Sequence, residues 1–489
     1  MKTVYIIFPE ILGTIAPEIY GHFSEHIGGV IYDGIWVGRD SDVPNVRGFR
    51  KEIVDRMREI RPPVLRWPGG CFAETYDWRD GIGTNRPTRI NWWTTTDGRY
   101  ESNAVGTHEF IDFCSLIGAK AYFAINLTSS TPMEIRNWMD YCLSPEGTTT
   151  LAQERKNNGK AEPFEISFWG VGNENWGGGG NMSGETYAHE YRRYSAIMSN
   201  VANNLCLIAC GPNGADYRWT HDFLNAVADS ERRIQGLSLH YYCGGSGDPL
   251  EFTIDEWYRQ LAQAMKMEEI LLRHWNIIRG FGMEQCARLV VDEWGCWHPE
   301  GSGPSKGRNL FEQQSTMRDA VVAALMLNIF NNHCDKVMMA NVAQLVNNLQ
   351  CLFLSEGKDC IVTPTYHVFN MFKEHQGGTA VRTVVEDNSR FRNHLSVSAS
   401  VKNGKVTVSF ANFSAESDCE IRIESIGMHL ESDAELTTLS NHDLHAHNTF
   451  VNPNYVTPTS EAINARQKIT IPKGGIAVIR ANITTITGT

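Results

Sequence analysis

Eight times between residues 21 and 344 a short apolar run closes in a turn and gives way to a longer amphipathic stretch. This alternation constrains the fold more than any other feature of the 489-residue chain. The runs are GHFSEH (21–26), PPVLRW (62–67), AKAYFAIN (119–126), FEISFWGVGNE (164–174), LCLIACGP (205–212), IQGLSLHYY (234–242), ARLVVDEW (287–294) and DKVMMANVAQ (335–344). Apolar runs of about four to eight residues bounded by turn signals suit strands buried on both faces. Between them lie helix-like segments such as 107–118, 186–204 and 256–279. Eight strand–helix units predict an α/β protein built on a (β/α)8 barrel, the TIM barrel. Periodicity alone leaves a doubly wound open sheet as the alternative.

The pattern changes after Gly377-Gly378. HLSVSASVKNGKVTVSFANFS (394–414) is two period-two runs around Asn403-Gly404, a hairpin signal. CEIRIESIG and KITIPKGGIAVIRANIT continue as strands, so the last 110 or so residues read as a β-sandwich.

Composition excludes several classes of function. Hydrophobic residues make up 42% and charged residues 20%, which rules out disordered and fibrous chains. Forty-four Lys and Arg against 56 Asp and Glu give a net charge of −12 without any basic run, so no nucleic-acid partner is expected. There is no run of 18 apolar residues and no signal-peptide pattern, so neither a membrane nor an export route is expected. Twelve cysteines are scattered without a CxxC pair and read as reduced thiols of a cytoplasmic protein.

In a barrel of this kind the chemistry sits at the carboxyl ends of the strands. The polar residues placed there are Glu25, Arg66, Asn126, Asn173, Glu174, His240, Tyr242, Glu293 and Gln344. Glu174 and Glu293 stand out, since each ends a run that is otherwise core. A pair of carboxyl groups at one mouth is what glycoside hydrolysis requires: one protonates the leaving oxygen, the other attacks or activates water at the anomeric carbon. Trp67, Trp92, Trp93, Trp176, Trp294 and Trp297 lie close in sequence to these positions. Indole rings pack on the C–H faces of sugars, although a tryptophan here can equally cap the barrel core, as is expected of Trp294.

Several segments resemble glycoside hydrolase family 51, the α-L-arabinofuranosidases of clan A. They are YGHFSEHIGGVIYDGIWVG (20–38), VLRWPGGCFAETYDWRDGIG (64–83), AVGTHEFIDFCSLIGA (104–119), WGVGNENWGGGG (169–180), SLHYY (238–242), VDEWG (291–295) and MANVAQLVN (339–347). The resemblance implies a retaining, exo-acting α-L-arabinofuranosidase that releases terminal arabinose from arabinoxylan or arabinan oligosaccharides. It makes Glu174 the general acid/base and Glu293 the nucleophile, with Asn173 on the sugar 2-hydroxyl. Glu25, Arg66, Cys71, Trp176, His240, Tyr242, Trp297 and Gln344 complete the substrate site. Cys71 stands where better-known members have Asn and cannot make that amide's hydrogen bonds. The resemblance also implies that residues 1–18 add a strand to a jelly-roll-like sandwich of 376–489 around a barrel of 19–375, and that the protein is a homo-oligomer, a hexamer. No cofactor and no metal are expected.

Other readings compete. An endo-β-1,4-glucanase or β-xylosidase would share fold and carboxylates, and a sugar-binding protein without activity would share the fold alone. His22-Phe-Ser-Glu25-His26 fits a zinc-peptidase pattern, but two glycines follow where a helix is needed. Gly177–Gly180 lacks the Lys-Ser/Thr of a phosphate loop. Cys71 with His240 as its base is a further nucleophile, less expected than the two glutamates.

Overall fold

The structure, a computed structural model, describes residues 1–95, 100–202, 205–228, 234–386 and 394–485. Parts of the expected elements, 203–204 of the helix 186–204 and 387–393 and 486–489 of the sandwich, lie outside the described residues.

A first strand, β1 (Lys2–Thr14), precedes the barrel strands β2 (Gly21–Phe23), β3 (Val64–Trp67), β4 (Lys120–Ile125), β5 (Ile166–Val171), β6 (Cys206–Ala209), β7 (Gly236–Gly244), β8 (Arg288–Trp297) and β9 (Val337–Val342). Strands β2 to β9 pair in sequence order, each parallel to the next, and β9 closes on β2. Each of the eight coincides with one of the apolar runs, β7 and β8 continuing two and three residues past theirs, and the ring is closed, so the open-sheet alternative is excluded. Val64, Tyr122, Phe168, Ile208, Val290 and Met339, from six strands, form one cluster that plugs the barrel. Helices follow the strands, among them α1 (Thr107–Ile117), α2 (Gly184–Met198), α3 (Ile254–Gly280) and α4 (Met317–Asn332). Their starts are written locally: Thr253 and Glu256 form a reciprocal cap on α3, as Thr316 and Asp319 do on α4.

The C-terminal β domain has strands β10 (Thr379–Glu386), β11 (Leu395–Lys402), β12 (Lys405–Asn412), β13 (Cys419–Ile426), β14 (Met428–Leu439), β15 (Thr459–Asn464), β16 (Ile469–Ile471) and β17 (Ile476–Thr485). Together with β1 they make one nine-stranded ladder, β15-β14-β17-β12-β11-β10-β1-β13-β16. Alternate residues from both ends of the ladder, such as Leu436, Val408, Val4, Ile421 and Ile471, meet in one core, so the sheet folds over itself as a sandwich. Strand β1 runs antiparallel to β10 and parallel to β13, which ties the start of the chain to this domain. The β11–β12 hairpin turns at Asn403 and Gly404 with φ of 51° and 73°, the left-handed pair that a two-residue turn needs.

The two domains share a polar seam. Asn328 and Asn331 on α4 donate to Ser396 and Ser398 on β11, and Trp257 on α3 donates to the Phe413 carbonyl. The barrel thus rests its α3–α4 side on the sandwich, away from its carboxyl-end mouth.

Candidate active site

At that mouth Arg66 reaches across from β3 with its guanidinium buried. It donates to Glu293 Oε1 at 2.8 Å and to Asn173 Oδ1 at 2.6 Å, while its Nε lies 3.7 Å from Asp292. Phe23 supports the guanidinium face at 4.5 Å. The other oxygen of Glu293 accepts from Tyr242 at 2.8 Å. His240 Nδ1 stands between the two glutamates, 2.9 Å from Glu174 and 3.4 Å from Glu293. An oxygen of Glu174 and one of Glu293 come within 4.8 Å of each other.

Local sequence explains this convergence. The pairing of β8 with both neighbours slips one register around Asp292, a bulge that aims two successive carboxylates at Arg66 where strict alternation would send one outward. Asp292 is then held by Tyr122 at 2.7 Å and Asn341 at 3.1 Å. Glu174 follows β5 with φ +43°, a left-handed conformation rare for a side chain of this size. The amides of Gly177 and Gly179 both donate to its carbonyl, so the glycine run fastens the loop over Glu174. Gly70 is required by close approach: a Cβ there would meet Glu293 Oε1 at 2.8 Å.

Burial raises the pKa of Glu293, but the charges of His240 and Arg66, with hydrogen bonds from Arg66 and Tyr242, outweigh it and hold the carboxyl below its ordinary value. For His240 burial works the other way and is outweighed by Glu293 and Glu174, so the imidazole holds its proton more tightly than usual. Burial, then the Glu174 charge, pushes the Cys71 thiol far up. Its Sγ lies 3.6 Å from Glu174 Oε2 as a protonated donor, which disfavours the cysteine-nucleophile reading.

Glu25 accepts from the amides of Gly70 (2.9 Å) and Phe72 (3.0 Å) and from Gln344 (2.8 Å). Burial and the neighbouring Glu293 charge push it from 4.5 up to about 7, against the pull of Phe72, Gln344 and Arg66. A carboxyl raised on folding contributes stability that is full below its unfolded value, near 4.5, and is lost as pH rises through about 7. Glu25→Gln, uncharged throughout, should therefore flatten the fall in melting temperature between about pH 5 and 8. An unchanged slope would refute this account of Glu25.

The remaining expected residues divide. Trp297, 37% exposed, sits edge-on to Tyr242 at a ring separation of 5.1 Å and borders the mouth. Trp176 is half-buried on the Glu174 loop, and Trp92 is 62% exposed. Trp67 is corrected: it is fully buried, stacked on Phe110, and offers no face to a sugar. Trp294 is core, packed on Phe330 and Phe369. Asn126 turns into its own loop, accepting from Ser129 and Ser130 and donating to the Tyr76 carbonyl. The zinc-like motif disperses, His26 bonding Glu101 and Glu25 the Gly70 turn.

Among the described residues, two groups bring possible metal ligands within 4.8 Å, Glu174–His240–Glu293 and Cys296–His298–Asp319. In the second, His298 Nε2 meets Asp319 at 2.7 Å, and Asp319 also caps α4 through Thr316. Hydrogen bonds join His240 to Glu174 in the first group and His298 to Asp319 in the second. Sequence reasoning missed Asp292, Tyr122 and Glu74, the last wholly buried behind the Glu174 loop.

A closed (β/α)8 barrel with two carboxylates this close at its mouth defines a glycoside hydrolase. Residues 56–243 match the family model described as the α-L-arabinofuranosidase 1 domain, and 292–473 that of the α-L-arabinofuranosidase C-terminal domain. An intracellular exo-α-L-arabinofuranosidase of Bacteroides ovatus is 39% identical over 91% of this chain and 88% of its own length. The chain belongs to glycoside hydrolase family 51, the α-L-arabinofuranosidases. Among solved structures, the family 51 arabinofuranosidase of Xanthomonas axonopodis pv. citri superposes with a TM-score of 0.92 at 33% identity, covering 99% of this chain and all of that one. An α-L-arabinofuranosidase of Thermotoga maritima, solved as an arabinose complex, gives 0.87 at 30% identity over 99% of this chain and all of that one.

Proposed function

We propose that the chain is a retaining, exo-acting α-L-arabinofuranosidase that removes terminal α-L-arabinofuranosyl residues from arabinoxylan or arabinan oligosaccharides. The observation that carries this is the convergence of Glu174 and Glu293 on His240, with one oxygen of each within 4.8 Å of the other, which leaves less room than the roughly 6.5–9.5 Å that an inverting pair keeps for a water. Glu293, ionised between Arg66 and Tyr242, attacks the anomeric carbon while Glu174 passes its proton to the departing oxygen. The product is an arabinosyl ester on Glu293 and a free alcohol. Glu174 then takes a proton from water, whose oxygen attacks the same carbon and releases Glu293.

Asn173, its Oδ1 taken by Arg66, presents its amide nitrogen to the 2-hydroxyl, in keeping with the buried Nδ2 that has no partner among the described residues. Glu25, Cys71 and Gln344 shape the furanose pocket, His240 links the two carboxylates, and Trp176 and Trp297 border the leaving-group side. The name of the Bacteroides ovatus relative supports an intracellular location. A homo-oligomer, a hexamer, and a division at 1–18, 19–375 and 376–489 complete the proposal.

The decisive test is release of nitrophenol from 4-nitrophenyl α-L-arabinofuranoside beside the β-xyloside and β-cellobioside, with Glu174→Ala as control. Dominant arabinofuranoside turnover, lost in the variant, is expected. Turnover of the β-glycosides alone would move the specificity, and silence on all three from folded protein would overturn the enzymatic reading.

A further inference from the structure

Behind the acid/base loop lies a buried carboxylate that the catalytic steps do not use. Glu74 lies in the short turn Cys71–Thr75 and is only 2% exposed. Its Oε1 accepts from the Asn173 amide at 2.6 Å and from Asn175 Nδ2 at 3.0 Å. Its Oε2 accepts from the amides of Leu127 at 2.8 Å and Thr128 at 2.7 Å. Four donors converge on one anion, and the donors come from the loops after β4 and β5 while the anion comes from the loop after β3. Asn175 Nδ2 also donates to the Gly179 carbonyl at 2.7 Å, which carries the clamp to the glycine run that holds Glu174.

We infer that Glu74 is a positioning residue for the acid/base: its carboxylate pins the amide before Glu174 and the side chain after it, and so fixes the left-handed turn that aims the Glu174 carboxyl. The inference rests on the proposed role of Glu174. The physical argument is one of donors and acceptors. A buried carboxylate offers enough lone pairs for four N–H groups, whereas a carboxamide offers one oxygen and two hydrogens. In Glu74→Gln at least one of the two donor pairs faces an NH2 group and loses its acceptor, at a cost the buried amides relieve by moving. The turn at Glu174 holds a rare φ, which the clamp on either side of it helps to maintain.

A displaced general acid has a signature that general destabilisation lacks. Departure of an activated phenolate needs little protonation, while an alkoxide cannot leave without it. Rates should therefore be measured on 2,4-dinitrophenyl and on methyl α-L-arabinofuranoside for wild type, Glu74→Gln, Glu74→Asp, Asn175→Ala and Glu174→Ala, with a thermal melt on each. Glu74→Gln is expected to lose about 100-fold in kcat/KM, which reports the first step alone, on the methyl glycoside, the order of loss that a misplacement of about 1 Å brings, and less than about 5-fold on the dinitrophenyl one. Glu74→Asp, which keeps the charge, should recover part of the loss. Asn175→Ala, with three of the four donors left, should show the same bias more weakly, and it decides the matter if Glu74→Gln does not fold. Equal proportional losses on both substrates in the folded variants overturn the inference. Absence of leaving-group bias in Glu174→Ala itself instead overturns the role given to Glu174, so the two failures are distinguishable.

Discussion

Glu293→Ala is expected to lower kcat on 4-nitrophenyl α-L-arabinofuranoside by at least about 10⁴-fold, a barrier increase of about 5.5 kcal/mol. The loss is large because the side chain would form the covalent bond, so nothing left in the site replaces it. The fold should survive. Arg66 retains Asp292 and Asn173 as partners, and Tyr242 faces a cavity open to the cleft. That cavity is lined by a guanidinium and a hydroxyl, a setting that accepts a small anion. Azide should therefore restore part of the activity and leave as a glycosyl azide of inverted configuration, because it attacks once from the nucleophile's side. In Glu174→Ala the ester still forms from an activated substrate, and azide attacks it second, giving retained configuration. Proton NMR of the two azides checks both assignments together. The same configuration from both variants, or retained configuration from Glu293→Ala, would exchange or abolish the proposed roles.

The barrel was legible because strands buried on both faces write themselves as unbroken apolar runs, and all eight runs became strands in the expected order. The Asn403-Gly404 turn was equally explicit, since its backbone demands those residue types. The site was legible to the extent that polar residues ended those runs: Arg66, Glu174, His240, Tyr242 and Glu293 converge. What escaped was whatever depends on a local break of periodicity or on a contact between distant loops. Asp292 looks like an outward neighbour of Glu293 until the bulge turns it in, and no composition signal announces a bulge of this kind. Glu74 sits in a turn rich in ordinary residues and acquires its meaning from amides at 127, 128 and 173. Trp67 failed for the opposite reason: adjacency to Arg66 along a strand sends its ring to the other face, into the helix layer.

The same alternation that buries Trp67 turns Arg66 toward both Asp292 and Glu293 inside the barrel mouth, where it shares their charge with His240, and that sets the second large effect. Arg66→Met, close in length and apolar, should destabilise the protein by about 3–5 kcal/mol at neutral pH, the range found when one partner of a buried ion pair is removed. Volume is nearly kept, so the loss comes from charge left without a counter-charge rather than from a cavity. Its pH dependence identifies the cause. In the wild type Glu293 is held below its ordinary value, so its contribution is present above about 4.5 and is lost as pH falls through the lowered folded value. Without Arg66 the burial that opposes ionisation gains weight for Glu293, and for Asp292, which burial already raises against the pull of Arg66. Groups raised on folding contribute below their unfolded values and lose that contribution as pH rises, so the sign of the dependence turns over. Urea unfolding at about pH 4.5 and pH 7.5 should show the variant's deficit shrinking at the lower pH, while the acid limb of its pH–rate profile moves upward as the nucleophile protonates more easily. A deficit equal at both pH values would mean that Arg66 acts through packing on Phe23 and Tyr122, and the electrostatic account of the ionised nucleophile would have to be abandoned.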